Sequence, residues 1–219
     1  MKNAAGQTTT NTYNGQGQLI TSTTPPRAGI TENRTTTWSY NTDGYLQSVT
    51  GPATGATTSY TYDSYGRTRT VTDSENYTLT YDYDGMDRLT KVTYPDSTFE
   101  ETVYERLDPV RSRDRLGRWT HSIHDALRRL VASTDPLGRT VTQRWCNCGS
   151  LDALIDANGN GTEWERDIQG RVTMEIRANG SEWLYEYEQT TSRLKTVTDP
   201  KEQVKTYSYF LDDSLQVVS

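Results

Sequence analysis

The stretch YTYDSYGRTRTVTDSENY, Tyr60 to Tyr77, decides the fold. Tyr60 and Tyr62 alternate with Thr61, so on a strand both rings point to one face. Asp63 to Gly66 is turn chemistry. An aspartate side chain accepts from the backbone just after it, and glycine takes positive φ without steric cost. A Thr/Val run follows and closes on Thr72-Asp73.

The same phrase recurs along the chain. With Tyr62 as the marker, the equivalent positions are Tyr40, Tyr62, Tyr83, Tyr104, His124, Trp145, Arg166, Tyr187 and Tyr209. Successive gaps are 22, 21, 21, 20, 21, 21, 21 and 22 residues. A fixed period of this length is the signature of a repeat architecture. An earlier copy fits at Tyr13, with Gly17 and Leu19 in the expected slots. The Pro-containing insert TTPPRAGITENR separates it from the rest.

Each copy reads as one hairpin. The first strand carries the alternating aromatics Trp38 and Tyr40, Tyr81 and Tyr83, Tyr185 and Tyr187, Tyr207 and Tyr209. The second carries Leu89 and Val92, Leu194 and Val197, Leu215 and Val218. A second turn, such as Asp114 to Gly117, Asp135 to Gly138 or Asp156 to Gly159, leads to the next copy. HDALRRLVAS looks helical, yet His124, Asp125 and Leu130 sit in repeat slots, so a hairpin is expected there too. One hairpin alone is marginally stable, so each copy needs its neighbours. The expected fold is all-β: tandem hairpins of about 21 residues in a continuous, spiralling antiparallel sheet, part of a shell, barrel or tube. The expected organisation is a Thr-rich segment over 1–37, with one degenerate repeat and the insert, then an array of about nine hairpins over 38–219.

Composition narrows the function. Hydrophobic residues are only 32%, but fifteen Tyr and five Trp are too many aromatics for a disordered chain. The net charge of -6 disfavours nucleic-acid binding, which needs a basic face. Arg111, Arg113 and Arg115 alternate and would share a strand face, read here as solvated. No apolar run is long enough to span a membrane. The opening residues hold no apolar signal region. The chain ends on SLQVVS within a phrase, which predicts a piece of a longer protein.

YDSYGRTRTVTD, YDGMDRLTKVTYPD, HDALRRLVASTDPLGR and RDIQGRVTMEI resemble the Y-D-x-x-G-R-L-x-x-V-T-D-P-x-G phrase of the Rhs/YD-repeat family, over nearly the whole chain. The resemblance implies sheets that spiral into hollow shells. In bacterial Rhs toxins and insecticidal toxin complexes such shells enclose a toxic C-terminal domain. In wall-associated proteins and teneurins they belong to large surface proteins. A secreted or surface location and a bacterial origin follow from the resemblance. No core region or toxin domain is recognisable here, so a wall segment is expected. The fourth unit has lost its first glycine, with Asp108 falling where Gly66 falls. His124, Trp145 and Arg166 replace the marker tyrosine and read as degeneration.

Candidate chemistry is sparse. Cys146 and Cys148 sit in a turn, and free thiols or an intermolecular bridge are expected over an internal one. Together with His121 and His124 they match the ligand types of a zinc site. The two histidines are three apart on a strand and face opposite sides, so no metal or cofactor is expected. Asp156 to Asp167 imitates a calcium loop, but Asp156 lies in the ordinary second-turn slot. Glu100 and Glu101, like Asp212 and Asp213, are adjacent and would point apart on a strand. No nucleophile elbow or phosphate loop is present. Asn33, Asn76, Asn160 and Asn179 begin sequons that a Thr-rich chain yields by chance. No catalytic residues are assigned, and the chain is not expected to be an enzyme. The expected partners are other parts of a larger Rhs-like protein, or copies of the chain through its edge strands. Glycan stacking on Trp164 or Trp183 is a further reading.

Overall fold

A computed structural model describes residues 8–26 and 32–219. The middle of the Pro-containing insert therefore lies outside the described residues. The chain falls into two compact units, Met1–Thr102 with Arg113–Gly117, and Val103–Ser112 with Arg118–Ser219.

The strands of the first unit are β1 (Thr10–Tyr13), β2 (Leu19–Thr24), β3 (Arg34–Tyr40), β4 (Leu46–Thr50), β5 (Thr57–Tyr62), β6 (Thr68–Thr72), β7 (Thr78–Tyr83), β8 (Leu89–Thr93) and most of β9 (Phe99–Glu105). From β1 to β9 each pairs antiparallel with its sequence neighbour. The second unit holds most of β10 (Asp108–Arg113), then β11 (Trp119–His124), β12 (Leu130–Thr134), β13 (Thr140–Trp145), β14 (Leu151–Ile155), β15 (Gly161–Arg166), β16 (Val172–Ile176), β17 (Glu182–Tyr187), β18 (Leu194–Thr198), β19 (Val204–Tyr209) and β20 (Leu215–Val218). From β11 to β20 the same neighbour pairing holds. The fold is all-β and antiparallel, hairpin after hairpin, as the spacing predicts. The copy at Tyr13 is a hairpin as well, and so is HDALRRLVAS.

The strand faces differ in chemistry. In β5 and β6, Tyr60 opposes Val71 and Tyr62 opposes Thr68 on a half-buried face. On the other face Thr61 and Thr70 share a hydroxyl–hydroxyl bond of 2.6 Å, and Thr72 and Thr78 one of 2.8 Å. Thr134 with Thr140 and Ser39 with Ser48 repeat that arrangement. A Thr-rich strand thus satisfies its own hydroxyls across the ladder.

The hairpins also carry a bulge. In every first-turn hairpin with a resolved register, pairing slips just before the marker: Asp82 opposes Lys91, yet Tyr83 opposes Leu89. The extra residue is Thr90. It brings Leu89 and Val92, three apart, to the same face opposite Tyr83 and Tyr81. Second-turn pairings show no slip, as Thr70 to Thr80 and Thr72 to Thr78 illustrate.

Burial is shallow. Ala153 is the only wholly buried residue among those described, and no polar side chain is fully buried. Each sheet is one layer, so its rings are half-buried rather than sealed in a core.

Candidate functional site

The phrase repeats a Tyr, an Asp and an Arg, and these three meet between neighbouring hairpins. Asp63 turns the chain first. Its Oδ1 accepts the Tyr65 N–H at 2.9 Å and the Arg67 N–H at 3.0 Å. Its Oδ2 takes the Arg67 Nε at 2.8 Å. Asp84 with Arg88, Asp125 with Arg129 and Asp167 with Arg171 repeat the set. The turn is therefore an anion nest closed by its own arginine.

The arginine then reaches forward. Arg67 Nη1 donates to the Asp84 carbonyl at 2.9 Å and to the Asp87 carboxylate at 2.8 Å. Its guanidinium lies 4.9 Å from the Tyr83 ring centre. Arg193 makes the same three contacts with Phe210, Asp213 and Tyr209. Such cation–ring contacts gain from partial desolvation.

The marker reaches backward. Tyr62 Oη donates to the Leu46 carbonyl at 2.8 Å, Tyr83 to Thr68 at 3.0 Å, Tyr187 to Val172 at 2.9 Å and Tyr209 to Leu194 at 2.9 Å. Tyr40 does the same to Leu19. Each acceptor opens the second strand of the preceding hairpin, at the bulge. Trp145 Nε1 donates to the Leu130 carbonyl at 2.8 Å, and Arg166 to that of Leu151 at 3.2 Å. These two replacements are not mere degeneration: each keeps a donor in the slot. The signal was legible, since Tyr, Trp and Arg all carry a distal donor. His124 is the exception, with Nδ1 buried and unbonded.

The electrostatics follow from these contacts. The Arg88 side chain holds the Asp84 carboxyl below its ordinary value, and Arg171 does so for Asp167. For Asp125 the leading cause is the Arg129 N–H, then its side chain. Burial pushes the Tyr62, Tyr83 and Tyr187 phenols up, so they stay neutral donors.

The remaining candidates find structural uses. Asp156 accepts the N–H groups of Asn158 and Asn160 and the Asn160 side-chain amide, so its carboxylate is engaged in the turn. Cys146 and Cys148 are bonded to each other, contrary to the expectation of free or intermolecular thiols. The turn brings their Cα atoms to 5.2 Å, within ordinary disulfide reach. His121 and His124 lie on the regular strand β11, one exposed and one half-buried. No group of three or more metal-ligating side chains occurs among the described residues. In the first unit Arg113 covers the Phe99 ring at 3.8 Å and Arg115 covers Tyr94 at 3.8 Å. In the second unit Arg111 covers Trp119 at 4.7 Å. The three arginines sit over rings instead of forming a solvated basic stripe. The grooves between neighbouring turns follow the same logic. The one lined by Asp167, Arg171, Tyr187 and Glu188 has its acids already paired, Asp167 with Arg171 and Glu188 with Arg193.

The RHS Repeat family model matches residues 62–98. Double-stranded DNA deaminase toxin A of Burkholderia cenocepacia is 29% identical over 152 residues, covering 69% of this chain and 10% of that protein. Probable deoxyribonuclease RhsA of Dickeya dadantii is 27% identical over 178 residues, covering 68% of this chain and 12% of its own length. The chain thus spans about a tenth of these relatives. Among solved structures, a TcdB2–TccC3 crystal structure aligns with 97% of this chain and 15% of its own, at 15% identity and a TM-score of 0.46. The Photorhabdus luminescens Tc holotoxin pore aligns with 98% of this chain and 15% of its own, at 16% identity and a TM-score of 0.44.

Proposed function

Because this chain belongs to the Rhs/YD-repeat family, we propose that it is a non-catalytic wall segment of a larger secreted or surface protein. It contributes a curved β wall to a shell or stalk. The observation that carries this reading is the shallow burial, with Ala153 alone wholly buried among the described residues. A sheet needs a second layer to cover its apolar face. The half-buried aromatic face therefore calls for cover from outside the chain. The rest of a long Rhs-like protein supplies it, either as further wall or as enclosed cargo. The clamps fit the same role, because the Tyr, Asp and Arg heads are spent on backbone and on each other. The deaminase and nuclease activities in the relatives' names belong to those whole proteins, and this stretch is proposed to lie outside that chemistry.

A second reading rests on β20. Among the described residues it pairs with β19 alone, and its Leu215, Val217 and Val218 are about half exposed. An open edge of this kind can template another strand, which makes a filament subunit the alternative. Electron microscopy of the purified chain over a concentration series separates the two. Discrete particles of monomer mass at every concentration are expected for the wall segment. Filaments that lengthen with concentration would replace it by the second reading.

A further inference from the structure

The turn at Cys146 has the frame of the aspartate turns with sulfur in the anion's place. In the Asp167 turn, Oδ1 accepts the N–H of Gln169 at 2.9 Å and of Arg171 at 3.0 Å. In the Cys146 turn, Sγ accepts the N–H of Cys148 at 3.1 Å and of Ser150 at 3.4 Å. The backbone is the same: Cys146 N–H bonds the Ser150 carbonyl at 3.0 Å, and Gly149 N–H bonds the Cys146 carbonyl at 3.1 Å. Ser150 stands where the Asp63, Asp84, Asp125 and Asp167 turns carry arginine, so no side chain of this turn neutralises a charge there. From the preceding hairpin, Arg129 Nη1 donates to the Cys146 carbonyl at 3.2 Å, and the carboxylate partner of Arg129 is Asp125. Cys146 is half-buried, whereas Cys148 is exposed.

We propose that Cys146–Cys148 is a thiol–disulfide exchange site for a small thiol or dithiol reductant, with Cys148 as the sulfur attacked and Cys146 as the leaving thiolate. The entering thiolate bonds to Cys148 Sγ while the Cys146–Cys148 bond breaks, and the electron pair goes to Cys146 Sγ. With a dithiol, the second thiolate displaces Cys148, closes the reductant's own disulfide, and Cys148 takes a proton from solvent. The dithiol loses two electrons and the cysteine pair gains them. The direction follows from the donors. A thiolate beside N–H groups and a guanidinium has a lowered pKa, and a lower-pKa thiol leaves faster. The nest that holds carboxylates in the sister turns holds the released Cys146 thiolate, so the hairpin survives reduction.

The test uses the full chain. It is reduced with dithiothreitol without denaturant and alkylated with iodoacetamide over a pH series, each cysteine being read from fragment masses. Cys146 is expected to reach half-maximal alkylation at least one pH unit below the value of about 8.5 for a free thiol, and Cys148 near that value. Far-UV circular dichroism should be unchanged by reduction. Arg129→Met should move the Cys146 midpoint up and leave Cys148 in place. A Cys146 midpoint at or above about 8.5, a lower midpoint at Cys148, or reduction that needs denaturant would each overturn the proposal.

Discussion

The hairpin from Tyr62 to Thr68 and the hairpin from Tyr104 to Asp108 begin with the same phrase and end in different turns. The first spends five residues on its turn, then opens β6 with a carbonyl that receives the Tyr83 hydroxyl. The second has lost a residue and turns on Arg106 and Leu107 alone, with Arg106 at φ 55°. The marker that follows it, His124, has its Nδ1 buried without a partner. Yet the link between hairpins is not lost there. Arg128 donates to the Asp108 carboxylate at 2.7 Å and to the Leu107 carbonyl at 2.8 Å. Arg67 pairs in the same way with Asp87, and Arg193 with Asp213, with the charges exchanged. The missing residue precedes Asp108, so Asp108 occupies the slot of Arg67 rather than that of Gly66. What the array keeps is a donor–acceptor relation between neighbours, not a particular residue.

The largest effect should come from glycine at the turn. A Cβ at Gly170 meets open space, so Gly170→Ala adds only the left-handed backbone cost, about 1 kcal/mol. A Cβ at Gly66 runs into the Tyr45 hydroxyl and ring, which stacks on Tyr62. Gly66→Ala should cost about 2 kcal/mol or more in denaturant unfolding, since it adds displacement of that ring to the same strain. Equal losses at the two sites would mean that Tyr45 moves freely.

Next come the markers. Tyr187→Phe removes one donor and leaves the Val172 carbonyl without it, for a loss of about 1 kcal/mol. Arg166→Met should cost a similar amount through Leu151. His124→Phe should cost nothing, because it removes a buried nitrogen that bonds to nothing. A loss at His124 as large as at Tyr187 would break the distinction between the two regions.

The exchanged ion pair is smaller. Asp108→Arg or Arg128→Asp alone should cost about 0.5 kcal/mol, and the double exchange should restore most of it. Recovery absent from the double variant would show that the slot does not tolerate reversal.

Acid acts on many turns at once. Asp84, Asp125 and Asp167 all have carboxyls held below the ordinary value by their arginines and turn N–H groups. Their contribution is whole above the unfolded value of about 4 and is lost as the pH falls below it. The melting temperature should therefore drop between about pH 4 and pH 2. Asp167→Asn, which keeps an acceptor but does not titrate, should make that drop shallower.

Much of this was legible in the residues. The period of the marker, the Asp-x-x-Gly turns and the alternating rings fixed hairpins and their order. The helix-like HDALRRLVAS yielded to its repeat slots, because packing against neighbours outweighs local propensity. The bulge escaped, although Leu89 and Val92 already carried its sign: a spacing of three places side chains on one face only if an extra residue intervenes. Asp87, Arg128 and Glu202, at φ 61°, 65° and 63°, fill left-handed slots without glycine. A search for glycine alone misses such turns. The clamps escaped for another reason. They join residues 15 to 21 apart, as in Tyr83 to Thr68, Arg67 to Asp84 and Tyr40 to Leu19. No local pattern exposes such a contact until the register is known. The sulfur in the anion nest is likewise visible only beside its sister turns.

The central claim is that a marker carrying a distal donor locks its own hairpin to the one before it. Hydrogen–deuterium exchange of Tyr187→Phe against the unaltered chain tests it most directly. The account predicts faster exchange confined to β16, β17 and β18, where the Tyr187 hydroxyl joins one hairpin to the Val172 carbonyl of the preceding one. Exchange that is unchanged in those strands, or raised equally from β11 to β20, would contradict it.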